Sequence, residues 1–438
     1  MTDVLSEIPA VVDRLRAAFR TGRTKPLSWR REQLGALRAM LTEQEDAFAD
    51  ALWADLHKNG DEARRTEIDF IRREIDHTLE NLEAWTAPES AELPANLRPG
   101  HGAVVREPLG LVLIIGPWNY PLHLALAPLV GTLAAGNAAV VKPSELAPAT
   151  TAAIARFVPQ YLDPEGVAVV EGAIPETTAL LEQQFDHIFY TGNGIVGRIV
   201  MTAAAKHLTP VTLELGGKSP VIVDSDVDPA VVAERLVRTK FLNAGQTCVA
   251  PDFVLAVGDI GGKLESALAE AVRARFGDQP ADSPVYGRIV NERHFDRLSG
   301  LLPSGRVVVG GQTDRDSKYI APTVLADVAP DSPVMGEEIF GPILPIISVP
   351  DVDAAIAFIT GRDKPLALYA FTESEAVRER ILTETSSGAV GFGLPVLHIS
   401  VPTLPFGGVG ESGMGRYHGK YSIDTFSNLK AVLDQPLS

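Results

Sequence analysis

The chain has 438 residues, of which 45% are apolar, and a single cysteine; 56 acidic against 39 basic residues give a net charge of −17. One cysteine excludes an intramolecular disulfide framework and a cysteine-rich metal site, and it fits a reducing compartment. Clustered basic charge is needed to bind phosphates, so the acidic balance argues against nucleic acid and anionic membranes as partners. The length predicts two or three domains with substantial cores.

No targeting or membrane segment is predicted. The first twenty residues mix acids and bases at helical spacing and lack the apolar core of a secretory signal. The uncharged run from Leu109 to Val141 is long enough to span a bilayer. It is interrupted, however, by Pro117, by Gly131 and by the Gly136-Asn137 pair. We therefore expect a soluble, cytoplasmic protein without a membrane anchor.

The N-terminal part of the chain is predicted to be helical. Over residues 8–85, apolar positions such as Leu34, Leu37 and Leu41 recur at intervals of three and four. The segment 85–108 is rich in Pro, Ala and Glu, and it ends in a short alternating run. It is either a linker or a hairpin that projects from the body.

Strands and helices alternate from Gly110 onwards. The predicted strands are 110–116, 138–143, 166–172, 185–192 and 209–217, and the helices between them are 123–137, 147–162, 174–183 and 194–208. Five short apolar strands separated by helices predict a parallel, doubly wound sheet covered on both faces. Ligands bind at the carboxyl ends of such strands, which here carry Asn119, Lys142, Gly192 and Glu214.

A second α/β region follows. Its predicted strands are 219–225, 253–258, 319–328, 341–349 and 366–372, and its helices are 227–243, 351–360 and 373–385. No internal repeat or low-complexity segment is present. The fold class is therefore α/β, with two doubly wound domains.

A glycine-rich turn follows the fourth predicted strand. Gly192-Asn193-Gly194-Ile195-Val196-Gly197 matches G-x-G-x-x-G between a strand and a helix, the context in which the pattern indicates a dinucleotide. The glycines allow the backbone to approach a pyrophosphate at the helix N-terminus. The alternative is an ordinary tight turn that needs glycine.

Glu214 has three interpretations. It lies 22 residues beyond Gly192, near the place of the acid that binds ribose hydroxyls in the dinucleotide fingerprint. A carboxyl beside Gly216-Gly217 at a strand end also suits a general base with a raised pKa. The third interpretation is a solvated carboxylate without a role.

Two other strand ends carry groups for binding or catalysis. Lys142 and Glu145 offer a positive charge and an acceptor for ribose oxygens, although Ser144 between them equally suits the N-cap of a helix. The Asn119 amide suits an oxyanion donor, or else a residue that only forms a turn.

Cys248 lies in a loop of small polar residues after a predicted helix. A free cysteine is most often a small buried hydrophobe. A nucleophile is the alternative, and it requires a thiol pKa below about 8.5 through a nearby positive charge or helix dipole.

Six motifs in order resemble the NAD(P)-dependent aldehyde dehydrogenase superfamily, and most closely its class 3 branch for fatty and aromatic aldehydes. They are GPWNYP, KPSE, TLELGGKSP, NAGQTCVAP, EEIFGP and PFGGVGESGMGRYHGKYSIDTFS. The resemblance runs from about residue 10 to 430 and includes the 34-residue interval between Glu214 and Cys248.

The resemblance implies that Cys248 attacks the aldehyde to form a thiohemiacetal. The Asn119 amide and the Cys248 backbone N–H would hold the oxyanion. Hydride transfer would leave a thioester, and Glu214 would activate the water that hydrolyses it to a carboxylic acid. No metal is implied. Tyr120 and Thr247 would border the substrate.

The resemblance also assigns the cofactor site and moves the ribose role from Glu214 to Lys142 and Glu145. The implied NAD(P) contacts are Trp118, Lys142, Glu145, Gly192, Asn193, Gly194, Gly197, Leu215, Glu338 and Phe340. NAD is favoured over NADP, because the Glu145 carboxylate would repel a 2′-phosphate. Three departures from the class 3 pattern are Asn193-Gly194 in the turn, Phe392 where an Asn-Asp pair is usual, and Glu411 in place of Asn.

Three alternative functions can be compared with features of the sequence. A CoA-acylating dehydrogenase generally lacks the glutamate that is present here as Glu214. A cofactor-free cysteine hydrolase needs a histidine beside Cys248, and none is close in sequence. A non-catalytic scaffold would be expected to have lost Cys248, Glu214 or Asn119.

The implied architecture has a Rossmann-like cofactor domain, a catalytic domain and a small bridging arm. The predicted bounds are 1–81 with 105–216, then 217–416, and an arm of 82–104 with 417–438. The resemblance implies that this arm joins two subunits in a homodimer.

Overall fold

The N-terminal part of the chain is helical, as the three-and-four spacing predicts. The computed structural model describes residues 4–437. The first helices are α1 (Val4–Arg20), α2 (Leu27–Glu43), α3 (Glu45–Leu56), α4 (Gly60–Ala63) and α5 (Asp69–Thr86). A π-helical turn at Arg64–Ile68 joins α4 to α5. The periodic residues Leu34, Leu37 and Leu41 are fully buried.

The remaining elements alternate between strands and helices. The first half has β1 (Glu89–Ala91), β2 (His101–Pro108), β3 (Leu111–Ile115), α6 (His123–Ala135), β4 (Ala138–Lys142), α7 (Pro148–Tyr161), β5 (Val167–Val169), α8 (Ile174–Leu181), β6 (His187–Thr191), α9 (Gly194–Ala205) and β7 (Val211–Glu214). The second half has β8 (Pro220–Val223), α10 (Pro229–Lys240), β9 (Phe253–Val257), α11 (Gly261–Phe276), α12 (Glu292–Ser299), β10 (Arg306–Val309), β11 (Thr313–Asp314), β12 (Tyr319–Ile320), β13 (Thr323–Ala326), α13 (Pro333–Gly336), β14 (Ile343–Val349), α14 (Val352–Thr360), β15 (Ala367–Phe371), α15 (Glu375–Glu384), β16 (Ala389–Phe392), β17 (Gly413–Met414), α16 (Lys420–Thr425) and β18 (Ser427–Asp434).

The first large sheet has the order β17-β7-β6-β3-β4-β5. Strands β3 to β7 pair in parallel, which confirms the five predicted strands. The chain moves outwards from β3 to β5 and then crosses to β6 and β7, so the direction of winding reverses beside β3. Ligands bind at such a reversal, outside the carboxyl ends of the strands.

Strand β3 shows why this sheet is apolar throughout. Leu111, Leu113 and Ile115 share a core cluster with residues of α1 and α8. Val112 and Ile114 face the other way, into the cluster that includes α6. A parallel strand covered on both faces needs a continuous apolar run.

The second large sheet has the order β10-β13-β14-β9-β8-β15-β16, and only β10 is antiparallel. The single strand predicted over 319–328 is wrong, because it is two strands. β12 pairs with β11, while β13 joins the large sheet. Pro322 lies between them and cannot donate to a ladder. Helix α11 and strand β16 were not predicted.

A smaller antiparallel sheet has the order β1-β2-β18. β18 pairs with β2 along eight residues, from Ser427 opposite Pro108 to Asp434 opposite His101. The segment 85–108 therefore contributes a hairpin rather than a linker. The domain bounds themselves stay a prediction. Within residues 4–437, no helix is both long and apolar enough to cross a membrane.

Candidate active site

Cys248 lies in the loop that joins α10 to β9, and it is a half-buried free thiol. After α10 ends at Lys240, Asn243 and Ala244 adopt left-handed backbone conformations, with φ of 50° and 52°. Gly245 follows at φ 75°, and a Cβ there would lie 2.2 Å from the Gly341 carbonyl oxygen. Only glycine fits at that position.

Gln246 fixes the cysteine loop from inside. Its side-chain amide donates to the carbonyls of Asn243 and Arg288, at 3.0 Å each. Its side-chain oxygen accepts from the Val290 N–H at 3.0 Å. The side chain is fully buried. Through this side chain, the turn before Cys248 is fixed to its own Asn243 carbonyl and to the backbone of Arg288 and Val290.

The loop after β3 meets the cysteine loop. The Asn119 side-chain amide donates to the Gln246 carbonyl at 3.1 Å. The Tyr120 and Thr247 hydroxyls are 2.7 Å apart. Asn119, Tyr120 and Thr247 are all buried. Because the Asn119 amide bonds across to another loop, its role is not limited to forming its own turn.

Glu214 is the last residue of β7, and its side chain is almost completely buried. Neither carboxyl oxygen has a hydrogen-bond partner within residues 4–437. Burial raises the pKa of this carboxyl well above its usual value, and the Arg416 charge opposes the rise. Glu214 is therefore not a solvated surface carboxylate. A buried carboxyl with both oxygens free is suited to accept a proton.

The loop before β17 and the strand itself cover this carboxyl. Gly413 pairs with Glu214 in the β17–β7 ladder. A Cβ on Gly407 would lie 3.0 Å from the Glu214 Oε1 atom. A segment almost two hundred residues downstream thus closes the edge of the sheet beside Glu214.

The surroundings of Cys248 favour the protonated thiol. Burial raises its pKa to about 12, and the charges of Glu338 and Glu214 add to the rise. Both carboxyls are therefore close enough to influence the sulfur. The sequence suggested that activation needs a lowered pKa, and the protein groups alone shift it the other way. A positive charge brought by a ligand would favour the thiolate.

A cavity of about 730 Å³ lies at the carboxyl ends of the first sheet. Its lining includes Asn193, Gly194, Gly216, Glu338 and Glu411. A Cβ on Gly216 would lie 1.9 Å from a Glu338 carboxyl oxygen, so glycine is needed for that carboxyl to sit there. The position and polar lining of the cavity fit a dinucleotide.

The glycine-rich turn is built for close packing. A Cβ on Gly192 would lie 2.2 Å from the Tyr190 hydroxyl, and one on Gly197 would lie 3.0 Å from a Leu215 methyl. Asn193 is the N-cap of α9, because its side-chain oxygen accepts from the Val196 N–H at 3.0 Å.

Glu411 has a partner at the same turn. It forms an ion pair with Arg198, which also donates to the Gly194 carbonyl at 3.0 Å. The glutamate that departs from the class 3 pattern is thus matched by a basic residue on α9.

Lys142 and Glu145 form an ion pair at 2.9 Å, in which Lys142 is buried and Glu145 is about two-fifths exposed. Ser144 does not cap α7, because the helix begins at Pro148 with Ala147 in the N-cap position. The capping interpretation of this motif is therefore wrong.

The EEIFGP segment lies on the other side of the cavity. The rings of Phe340 and Trp118 meet edge to face, with 5.3 Å between their centroids. Burial, followed by the Asp252 charge, raises the pKa of Glu338 to about 8. Asp252 accepts from the Ile339 N–H at 2.9 Å, and it is paired with Lys218. Sequence reasoning missed both supports, although Lys218 follows the Gly-Gly pair at a strand end.

A group of buried rings lies near Cys248. Tyr120, Tyr369 and Tyr417 are all close enough for the thiolate charge to raise their pKa values. The rings packed with them are those of Phe70, His123, His398, Phe406 and His418. Sequence reasoning assigned none of these five to the site. Phe406 and His418 lie in the last of the six motifs, while the other three come from segments without a motif. Within residues 4–437, no His, Cys, Asp or Glu side chains are grouped as metal ligands.

Comparisons with known proteins identify the family. A sequence profile described as the aldehyde dehydrogenase family matches residues 5–432. The chain belongs to the aldehyde dehydrogenase family. Rat aldehyde dehydrogenase family 3 member B1 is 51% identical over 422 residues, covering 96% of this chain and 90% of the relative. The dog protein named "aldehyde dehydrogenase, dimeric NADP-preferring" is 48% identical over 433 residues, covering 99% and 96%.

Solved aldehyde dehydrogenases share the fold. The Staphylococcus aureus AldH structure in a substrate-bound state superposes with a TM-score of 0.96 at 45% identity, covering 98% of this chain and 94% of that one. The Mycobacterium tuberculosis aldehyde dehydrogenase complexed with NAD+ superposes at 0.88 with 30% identity, covering 98% and 90%. This aldehyde dehydrogenase is an NAD(P)-dependent oxidoreductase that converts aldehydes to carboxylic acids.

Proposed function

We propose that Cys248 is the nucleophile, that Asn119 holds the oxyanion and that Glu214 is the general base. The observation that carries this assignment is that Asn119 bonds to the Cys248 loop, while the buried Glu214 carboxyl has no partner within residues 4–437. A histidine hydrolase is disfavoured, because no hydrogen bond joins a histidine to Cys248 in the described part of the chain.

The Cys248 thiol first loses its proton to water, and the following steps start from the thiolate. The Cys248 sulfur bonds to the aldehyde carbon, and the carbonyl oxygen becomes an oxyanion facing the Asn119 amide and the Cys248 N–H. NAD(P), when bound, would supply the hydride acceptor, and loss of the hydride from this carbon would leave a thioester on Cys248. Glu214 takes a proton from water as the water attacks the thioester, and the thiolate leaves with the carbon–sulfur electrons.

The cofactor is proposed to occupy the cavity at the end of the first sheet. Lys142 and Glu145 would bind ribose hydroxyls, and the turn from Gly192 to Gly197, with Leu215 packed beneath it, would take the pyrophosphate. Trp118, Glu338 and Phe340 would hold the nicotinamide end. Both cofactors are proposed substrates, with NAD preferred because Glu145 faces the ribose. The dog relative is named for NADP and the M. tuberculosis structure contains NAD+.

The proposed substrates are medium or long aliphatic aldehydes and aromatic aldehydes. The rings of Phe70, Tyr120, Phe406 and Tyr417 give the surroundings of Cys248 an apolar, aromatic character. Such rings favour flat or apolar chains over small hydrated aldehydes.

We also propose a cytoplasmic homodimer. The three-stranded sheet leaves Leu429 and Leu433 more than half exposed on its edge strand β18. An edge strand with exposed apolar side chains is suited to pair with another chain. The dog relative is named dimeric.

The test is the appearance of reduced nicotinamide with NAD or NADP and a panel of aldehydes. Wild type should turn over steadily and Cys248→Ala should not. Glu214→Gln should give at most one burst, because the thioester is no longer hydrolysed. Steady turnover by Cys248→Ala would contradict the assignment of the nucleophile.

A further inference from the structure

A lysine ammonium is buried beneath the oxyanion loop. Lys58 is fully buried and forms an ion pair with Glu67. It donates to the Asn119 carbonyl at 2.8 Å, and its nitrogen lies 3.8 Å from the centre of the Tyr120 ring. An ammonium has three donors and no acceptor. Here two of them make hydrogen bonds, and the charge also faces an aromatic ring.

Glu67 fixes the other end of the same loop. One carboxyl oxygen pairs with Lys58, and the other accepts from the N–H groups of Leu122 and His123, at 2.9 and 3.1 Å. These amides open α6, where a helix has unsatisfied donors and favours a negative charge. The Lys58–Glu67 pair thus holds the segment from Asn119 to His123 at both ends.

Glu62 connects the same group to the cysteine loop. Its carboxyl accepts from the Asn243 N–H at 2.8 Å. The Asn243 side-chain amide donates to the Asn119 carbonyl at 2.7 Å and to the Gln246 carbonyl at 3.1 Å. Both loops that meet at Cys248 are therefore fixed to one short stretch of chain.

The π-helical turn explains how that stretch presents both acids. Glu62 and Glu67 are five residues apart, and they would point about 140° away from each other on a regular α-helix. A π turn hydrogen-bonds residues five apart, which brings such a pair back to one face. The turn covers Arg64–Ile68, so it begins two residues after Glu62 and includes Glu67.

We propose that Lys58, Glu62 and Glu67 are positioning residues that set the Asn119 amide relative to Cys248. This rests on the proposed role of Asn119 as oxyanion donor. A buried ion pair does not by itself show that the folded state is stabilised. Its direct contact with the Asn119 carbonyl gives it a geometric role, since a displacement of about 1 Å at a reacting group can cost about a hundredfold in rate.

The first variant is Lys58→Met combined with Glu67→Gln, which removes both charges together and leaves neither charge of the pair without its partner. We expect kcat to fall by about ten- to a hundredfold, and KM for NAD to stay within about twofold. Alkylation of Cys248 by iodoacetamide forms no oxyanion, so its rate should match wild type.

The deciding measurement determines kcat for the Lys58→Met and Glu67→Gln double substitution in an Asn119→Ala background. A positioning role acts through the Asn119 amide, so there the double substitution should change kcat by less than about twofold. If kcat falls by the same factor in both backgrounds, or does not fall in the wild-type background, the proposal is overturned. Slowed alkylation would overturn it too, because the damage would then extend to the cysteine.

The matched control is a substitution at Asp163, a carboxylate whose ion pair lies far from the site. Asp163 pairs with Arg23 and accepts from the Trp29 ring N–H. Asp163→Asn should reduce the melting temperature without changing kcat. Wild-type turnover tests the proposed function separately, and a wild type without aldehyde oxidation would overturn both proposals.

Discussion

The side-chain amide of Asn119 lies 3.1 Å from the carbonyl oxygen of Gln246, two residues before Cys248. This bond is one of three that join the loop after β3 to the cysteine loop, with the Tyr120–Thr247 and Asn243–Asn119 bonds. Asn119→Ala should lower kcat by about a hundred- to a thousandfold, the usual loss for one oxyanion donor. Steady-state kinetics measure it. Asn428→Ala, on the exposed edge of the small sheet, should keep wild-type kcat.

The raised pKa of Glu214 predicts that thioester hydrolysis depends on pH. Its pKa is raised by burial, and a general base works only when ionised. Hydrolysis should therefore rise with pH up to the raised pKa and level off above it. Single-turnover hydrolysis of the thioester between pH 6 and 9 measures this. Glu214→Gln should flatten the profile, and an unchanged profile would assign the base to another group.

The charge of Glu338 affects how readily the Cys248 thiol ionises. Because its own pKa is about 8, it is neutral at pH 6.5 and charged at pH 9, where it opposes formation of the Cys248 thiolate. Glu338→Gln should therefore speed alkylation by iodoacetamide at pH 9 and have little effect at pH 6.5. Glu337→Gln changes an exposed neighbour and should match wild type at both values. Equal acceleration at both would refute the charge effect.

Glu74 predicts a stability change with pH. Burial raises its pKa to about 7, while a hydrogen bond from the Gly419 N–H opposes the rise. The folded chain thus holds the proton more tightly than the unfolded chain. This contribution is fully present below pH 4.5 and is lost as pH rises to 7, by at most about 3 kcal/mol.

Glu74→Gln should remove that loss while keeping an oxygen for Gly419. Relative to wild type, its melting temperature should be higher at pH 8 than at pH 5. Glu80→Gln, at an exposed position on the same helix, should show no such difference. A constant offset between the Glu74 variant and wild type at both pH values would exclude the linkage.

The Lys142–Glu145 pair bears on the choice between NAD and NADP. In the proposed cofactor site the Glu145 carboxylate would repel a 2′-phosphate, and Lys142, paired with it at 2.9 Å, would partly offset its charge. Glu145→Gln should lower KM for NADP, on the order of tenfold, and raise KM for NAD. Initial rates with both cofactors measure this. A fall in KM for NAD as well would show a general effect on binding.

Much of the site could be predicted because parallel strands bring their carboxyl ends to one edge. Asn119, Lys142, Gly192 and Glu214 all follow strands that periodicity located. The supports could not be predicted in the same way. The contact of Lys58 with Asn119 joins residues 61 positions apart. The alignment of Glu62 with Glu67 depends on a π turn that has no apolar period of its own.

The role of Asn193 shows a second limit. A G-x-G-x-x-G pattern indicates a phosphate turn, and it does not show that the asparagine inside it caps the helix with its own side chain. The prediction for Ser144 was wrong for the opposite reason. A residue suited to capping is present, but it lies four residues before α7 begins and caps no helix there. Both depend on where a helix starts, which is the least certain feature of a sequence pattern.

The strand that pairs beside Glu214 has a consequence for biosynthesis. A ribosome delivers β7 long before β17, and Gly413 pairs with Glu214 across 199 positions of chain. N-terminal domains generally fold first during synthesis. Until β17 emerges, the sheet edge beside Glu214 stays open to water and to other nascent strands. Each molecule therefore encloses the Glu214 carboxyl only after a segment 199 positions downstream has been synthesised.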